Sequence, residues 1–85
     1  MKISGKQVAA ARMLAGWTRD HLAEAADVAM HTIMNWENET SVPRAATIAR
    51  VVKALEDRGV EFTNGGQPGV RFKAKPGTEA DRASE

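Results

Sequence analysis

Residues 18–37, TRDHLAEAADVAMHTIMNWE, constrain this chain more than any other stretch. Leu22, Ala23 and Ala26 form one short apolar stripe at helical spacing. Val28, Ile33 and Trp36 form a second, and Asp27 lies at the break between them. The pattern predicts two short helices joined by a tight turn, each with one face to bury. Helices this short are unstable alone in water, because the first turn is costly and few hydrogen bonds follow it. The rest of the chain must therefore supply a core for both.

The flanking segments are suited to that task. Ser4-Gly5-Lys6-Gln7 has the capping-box form, Ser followed three residues later by Gln. It predicts a first helix that starts at Ser4, runs through an Ala-rich stretch and stops at Gly16. Thr18 is the expected N-cap of the second helix, with Asp20 in the first turn where negative charge suits the dipole. The third helix is expected over about residues 30–38, followed by a loop over 39–42. Pro43 then precedes a fourth helix, in which Ile48, Val51, Val52 and Leu55 recur at i, i+3, i+4 and i+7. Gly59 is a suitable stop.

Beyond Gly59 the period changes from helix to strand. Val60-Glu61-Phe62 alternates, Asn64-Gly65-Gly66 and Pro68-Gly69 are turn signals, and Val70-Arg71-Phe72 alternates again. This predicts a β-hairpin with a loop longer than two residues. A two-strand hairpin is marginal alone, so Val60, Phe62, Val70 and Phe72 need a partner. The expected partner is helix four, or its copy in a second subunit with strand edges pairing across the dimer. From Ala74 onward there is no apolar period, and a disordered tail is expected over 74–85. The resulting division is a helical domain over 1–58, a hairpin over 59–73 and the tail. The fold class is mainly α, a four- to five-helix domain with a C-terminal β-hairpin.

Composition narrows the function classes. A chain of 85 residues makes one small core. It has no cysteine, hence no disulfide and no thiolate metal site. No apolar run approaches the roughly 18 residues of a membrane span, and the N-terminus does not read as a signal peptide. A cytoplasmic protein with no membrane role is expected. His21 and His31 have no third ligand nearby, so no metal is expected. No Ser/His/Asp or paired-carboxylate constellation stands out, so neither enzymatic activity nor a cofactor is expected. The net charge is +1, unevenly placed: residues 1–75 carry 11 Lys/Arg and 8 Asp/Glu, and the last ten residues sum to −2. A mildly basic folded part permits phosphate binding without requiring it.

Two short helices with facing apolar stripes are also the layout of a DNA-binding helix-turn-helix. The segment QVAAARMLAGWTRDHLAEAADVAMHTIMNWENETSVPR resembles the helix-turn-helix domain of the lambda and 434 repressors and Cro. The resemblance covers about residues 6–58. Its specificity lies in the combined spacing of Ala11-Arg12, Gly16-Trp17-Thr18, Leu22-Ala23, Val28, Ile33, Trp36-Glu37 and Pro43.

The resemblance implies roles at matching positions. Arg12 and Glu37 match an ion pair that joins helix one to the end of the recognition helix; on the residues alone they could equally be solvated charges. Arg19 occupies the first position of helix two, where the family places a phosphate contact, and Arg offers a fork of donors there. Met30, His31 and Asn35 match positions that face base edges: Asn35 suits adenine, His31 guanine or phosphate, and Met30 a thymine methyl. Thr32, Asn38 and Arg44 match phosphate contacts. Two positions depart from the pattern, Asp27 at the turn and Glu39 after Glu37, since glycine is usual at both. The recognition helix carries no Lys or Arg. The expected function is that of a transcriptional regulator binding double-stranded DNA as a homodimer. The alternative is a protein-binding module on the same scaffold, an antitoxin or antiactivator, with Met30 and Met34 as its partner surface. Trp17 and Trp36 are expected in the core, and His21 on a solvated face.

Overall fold

The computed structural model of the chain describes residues 3–63 and 69–72. Among these, four helices precede one antiparallel hairpin: α1 (Gly5–Ala15), α2 (Arg19–Ala26), α3 (Met30–Glu37), α4 (Ala45–Asp57), β1 (Val60–Thr63) and β2 (Gly69–Phe72). The helix count is four, not five, since residues 39–44 between α3 and α4 form a connection and no further helix. The central part of the hairpin loop and the tail over 74–85 lie outside the described residues. No helix among them is long and apolar enough to cross a membrane.

Local chemistry accounts for the boundaries. Ser4 Oγ accepts from the Gln7 amide at 3.1 Å, and the Ser4 amide donates to Gln7 Oε1 at 3.0 Å. Two otherwise unpaired helix-end donors are satisfied reciprocally. Gly16 closes α1 at φ 77°, a left-handed conformation that costs glycine nothing sterically. Thr18 Oγ1 caps α2 by accepting from the His21 amide at 3.1 Å. The N-cap positions of α3 and α4, Ala29 and Arg44, carry no side-chain cap, so these two helices depend more on packing.

The core is filled by one face from each element. Trp36, Leu22, Ile33, Leu55, Val8, Val51 and Val60 are all but fully buried. Each such side chain contributes roughly 1.5–3 kcal/mol of apolar burial. Helix α2 packs on both α3 and α4, and α1 packs on α3. In α4, Val51 and Leu55 are buried while Ile48 and Val52 border the core. Trp36 is central, whereas Trp17 is half-buried at the rim.

The hairpin pairs Val60 with Phe72 and Phe62 with Val70. Strand β1 packs against α4, and both strands also pack against α1. Val60 and Phe62 enter the core, Val70 is half-buried, and Phe72 is 59% exposed. The apolar face thus finds its partner within the same chain along β1 and is only partly covered along β2. Buried Gln7 fastens this attachment: Nε2 donates to the Thr63 carbonyl at 3.3 Å and to the Gly69 carbonyl at 3.2 Å. Thr63 and Gly69 are themselves paired across the ladder.

One close approach sets how α1 meets α3. A Cβ built on Gly5 would lie 1.7 Å from the Trp36 carbonyl oxygen. Neither group is the end of a flexible side chain, so any larger residue at position 5 must push the helices apart. Gly5→Ala is expected to lower stability by about 3 kcal/mol or more, the upper range for overpacking. Gly16→Ala meets nothing within 4 Å and is expected to cost only the roughly 1–2 kcal/mol of its left-handed backbone. Urea melts of the two variants check this; equal losses would remove the steric argument at Gly5.

Candidate nucleic-acid interface

Helix α3 presents two unlike sides. Ile33, Trp36 and Glu37 face inward and are buried. At about 100° per residue, Met30, Met34, Asn38, His31 and Asn35 share roughly 140° of the outward arc. Met30, His31 and Asn38 are exposed, and Met34 and Asn35 are half-buried. Three of the sequence-derived base-reading candidates therefore lie on one open face.

The candidates divide between two shallow depressions on either side of that face. His31, Thr32, Asn35 and Arg44 line the first, together with Ser41, Pro43 and Thr47 at the start of α4; it encloses about 270 Å³. The loop is held to the end of α3 here, because the Asn35 carbonyl accepts from the Thr40 amide at 2.9 Å and from Thr40 Oγ1 at 3.2 Å. Arg19 and Met30 border the second, with Arg12, Thr18 and Asp20. Asn38 lines neither and ends α3 as its exposed C-cap.

Behind this face lies a buried carboxylate. Glu37 Oε2 accepts from Arg12 Nε at 2.8 Å, and Oε1 accepts from Arg12 Nη2 at 3.2 Å. Arg12 and Glu37 thus form a bidentate ion pair between α1 and the last turn of α3. Arg12 Nη1 also donates to the Trp17 carbonyl at 3.0 Å, fixing the α1–α2 connection. A second arginine joins the pair: Arg19 Nε donates to Glu37 Oε1 at 3.0 Å. Two guanidinium groups against one carboxylate leave the cluster with one net positive charge. The inner pair is shielded, with side-chain exposures of 14% for Arg12 and 1% for Glu37, whereas Arg19 is 38% exposed.

The two departures from the family pattern have a common geometry. Asp27 has φ 59° and Glu39 has φ 62°, the two non-glycine residues with positive φ among those described. Both take the left-handed conformation that glycine adopts without strain. At Asp27 the turn is closed by the Val28 amide donating to the Ala23 carbonyl at 2.9 Å. Arg50 of α4 adds a bond from Nη1 to the Asp27 carbonyl at 3.3 Å. The Glu39 Cγ lies 3.0 Å from where a Gly5 Cβ would be, so this side chain runs over the start of α1.

Several participants were not singled out from the sequence. The bonds of Gln7 to the hairpin, the close approach at Gly5, the Arg50 contact and the bond from Arg19 to Glu37 depend on elements distant in the chain. Trp17 and His21 stack with ring centroids 4.8 Å apart and planes 11° from parallel. Their spacing of four on adjoining elements was the one local signal for that contact.

No protein-family model matches the chain, and no curated protein matches it significantly.

The ion cluster and the turn generate two stability expectations. Arg12→Met leaves Glu37 with the half-exposed Arg19 as its remaining cation, and Glu37→Gln leaves Arg12, largely buried, without its carboxylate; the first is expected to cost about 3 kcal/mol and the second about 3–5 kcal/mol. Arg19→Ala, at a half-exposed site, should cost roughly 0–1 kcal/mol. Denaturant melts of the three variants test this order, and small losses at Arg12 and Glu37 would contradict it. Asp27→Gly relieves a left-handed non-glycine residue and is expected to stabilise by up to about 1 kcal/mol, part of the gain being offset by a more flexible unfolded chain. A lower melting temperature for that variant would count against strain at the turn.

Proposed function

We propose that the chain is a sequence-specific double-stranded DNA-binding transcriptional regulator, of the helix-turn-helix type that its sequence resembles, with α3 in the major groove. The observation that carries the reading is the open face of α3. His31 and Asn35 project between Met30 on one side and Thr32 and Arg44 on the other. Asn35 has donor and acceptor in one plane and suits adenine; His31 can donate to guanine or to phosphate. Arg19, Thr32, Asn38 and Arg44 surround these groups as candidate phosphate contacts, and such contacts fix register without carrying sequence information. A single α3 reads few base pairs, so useful specificity calls for a homodimer on two half-sites.

The rival reading is a protein-binding module. Met30, at 42% exposure, and the lack of Lys or Arg on α3 favour it. Salt separates the two. Duplex binding through phosphates weakens steeply as salt rises, whereas an apolar protein contact does not.

The experiment is selection of bound sequences from random DNA, followed by affinity measurements on the selected and a scrambled duplex. Asn35→Ala is expected to cost about 1–3 kcal/mol on the selected site and much less on the scrambled one. Arg44→Ala should weaken both alike and lower the salt slope by about one. No enriched sequence, together with flat salt dependence, would overturn the reading. Sedimentation with and without the selected duplex tests the homodimer. Truncation after Gly59 does not, because it also removes Val60 and Phe62 from the core.

A further inference from the structure

We infer that Glu37 is a positioning residue for Arg19: the buried carboxylate holds the Arg19 guanidinium by its Nε edge and leaves the Nη end set for a DNA phosphate. The inference rests on the duplex-binding reading above and adds a residue that never touches the DNA.

The two arginines on Glu37 are used differently. Arg12 donates through Nε, Nη1 and Nη2 to Glu37 and Trp17 and is largely buried. It has little left to offer a ligand. Arg19 bonds Glu37 through Nε only, and its Nη atoms bond no described residue. It is the first residue of α2, it is 38% exposed, and it borders the depression shared with Met30. A guanidinium carries five N–H donors in a rigid planar fork. With Nε engaged, the two Nη groups can still grip a phosphate through parallel bonds. Lysine has a single nitrogen on a flexible stem and cannot serve both partners with one fixed geometry.

Pre-ordering gives Glu37 an effect on affinity. A long side chain that is free before binding loses rotamer freedom when it contacts a ligand. Arg19 is already placed by a carboxylate that is itself fixed by Arg12. The opposing effect is charge: Glu37 neutralises part of the positive potential at this end of α2. If neutralisation dominates, removing the carboxylate tightens binding to DNA. If positioning dominates, removing it weakens binding, and only while Arg19 is present.

The test uses the full chain and a random-sequence duplex at low salt, with wild type, Arg19→Lys, Arg19→Ala, Glu37→Gln and the Glu37→Gln/Arg19→Ala double variant. Circular dichroism checks the fold of each. Positioning predicts that Arg19→Lys loses nearly as much affinity as Arg19→Ala, about twofold to tenfold for an ordered side chain. It also predicts that Glu37→Gln weakens binding by a similar factor, with no further effect once Arg19 is absent. Should Glu37→Gln fail to fold, NMR of the free wild-type chain decides: a held Arg19 gives a protected Nε–H resonance and restricted side-chain relaxation, and a freely rotating Arg19 side chain overturns the inference. Wild-type affinity in Arg19→Lys, or tighter binding by folded Glu37→Gln, overturns the inference and leaves the DNA reading intact. Absence of duplex binding by the wild type overturns both.

Discussion

A carboxylate removed from water must be surrounded by donors, or it costs several kcal/mol. Glu37 meets that requirement with Arg12 and Arg19, whose two guanidinium groups arrive from α1 and α2. Because Glu37 sits in the last turn of α3, one side chain ties three helices together. The Arg12 bond to the Trp17 carbonyl extends the tie to the connection between α1 and α2. Such a cluster specifies geometry more than it adds stability, since apolar residues of like volume often serve stability as well. The arrangement links the last turn of α3 to α1 and to the start of α2.

Packing fixes the remaining degrees of freedom. Gly5 lets the backbone of α1 touch the end of α3 at Trp36. Leu22, Ile33, Val51 and Leu55 fill the space among α2, α3 and α4. Arg50 bonds the carbonyl of the turn between α2 and α3, so α4 supports one of the two described places where a non-glycine residue takes a positive φ. The outward side of α3 is thereby free of structural duties, and its polar side chains are available for contact.

Elements governed by local chemistry were legible from the residues. The Ser4–Gln7 capping box, the Thr18 cap, the stops at Gly16 and Gly59 and the periodicity of α4 all lie within a few positions of the structure they produce. The apolar alternation of Val60 and Phe62 likewise announced a strand with one buried face. What was not legible depends on contacts between remote segments. Nothing near Gly5 in the chain signals the Trp36 carbonyl, and nothing near Arg19 signals a shared carboxylate eighteen positions away. The pairing of Arg12 with Glu37 was expected only through the family resemblance. Phe72 shows a limit of alternation: it shares a face with Val70, yet it stays 59% exposed.

Gln7 has a consequence for how the molecule opens. Its carbonyl oxygen satisfies the first amide of the α1 cap, and its amide nitrogen holds the carbonyls of Thr63 and Gly69. Fraying of the first turn of α1 therefore releases the far end of the ladder, and separation of the strands releases the cap. One side chain thus couples two segments more than fifty residues apart. In amide exchange, the first turn of α1 and the Thr63–Gly69 end of the hairpin are therefore expected to open together, apart from the α2–α3 pair.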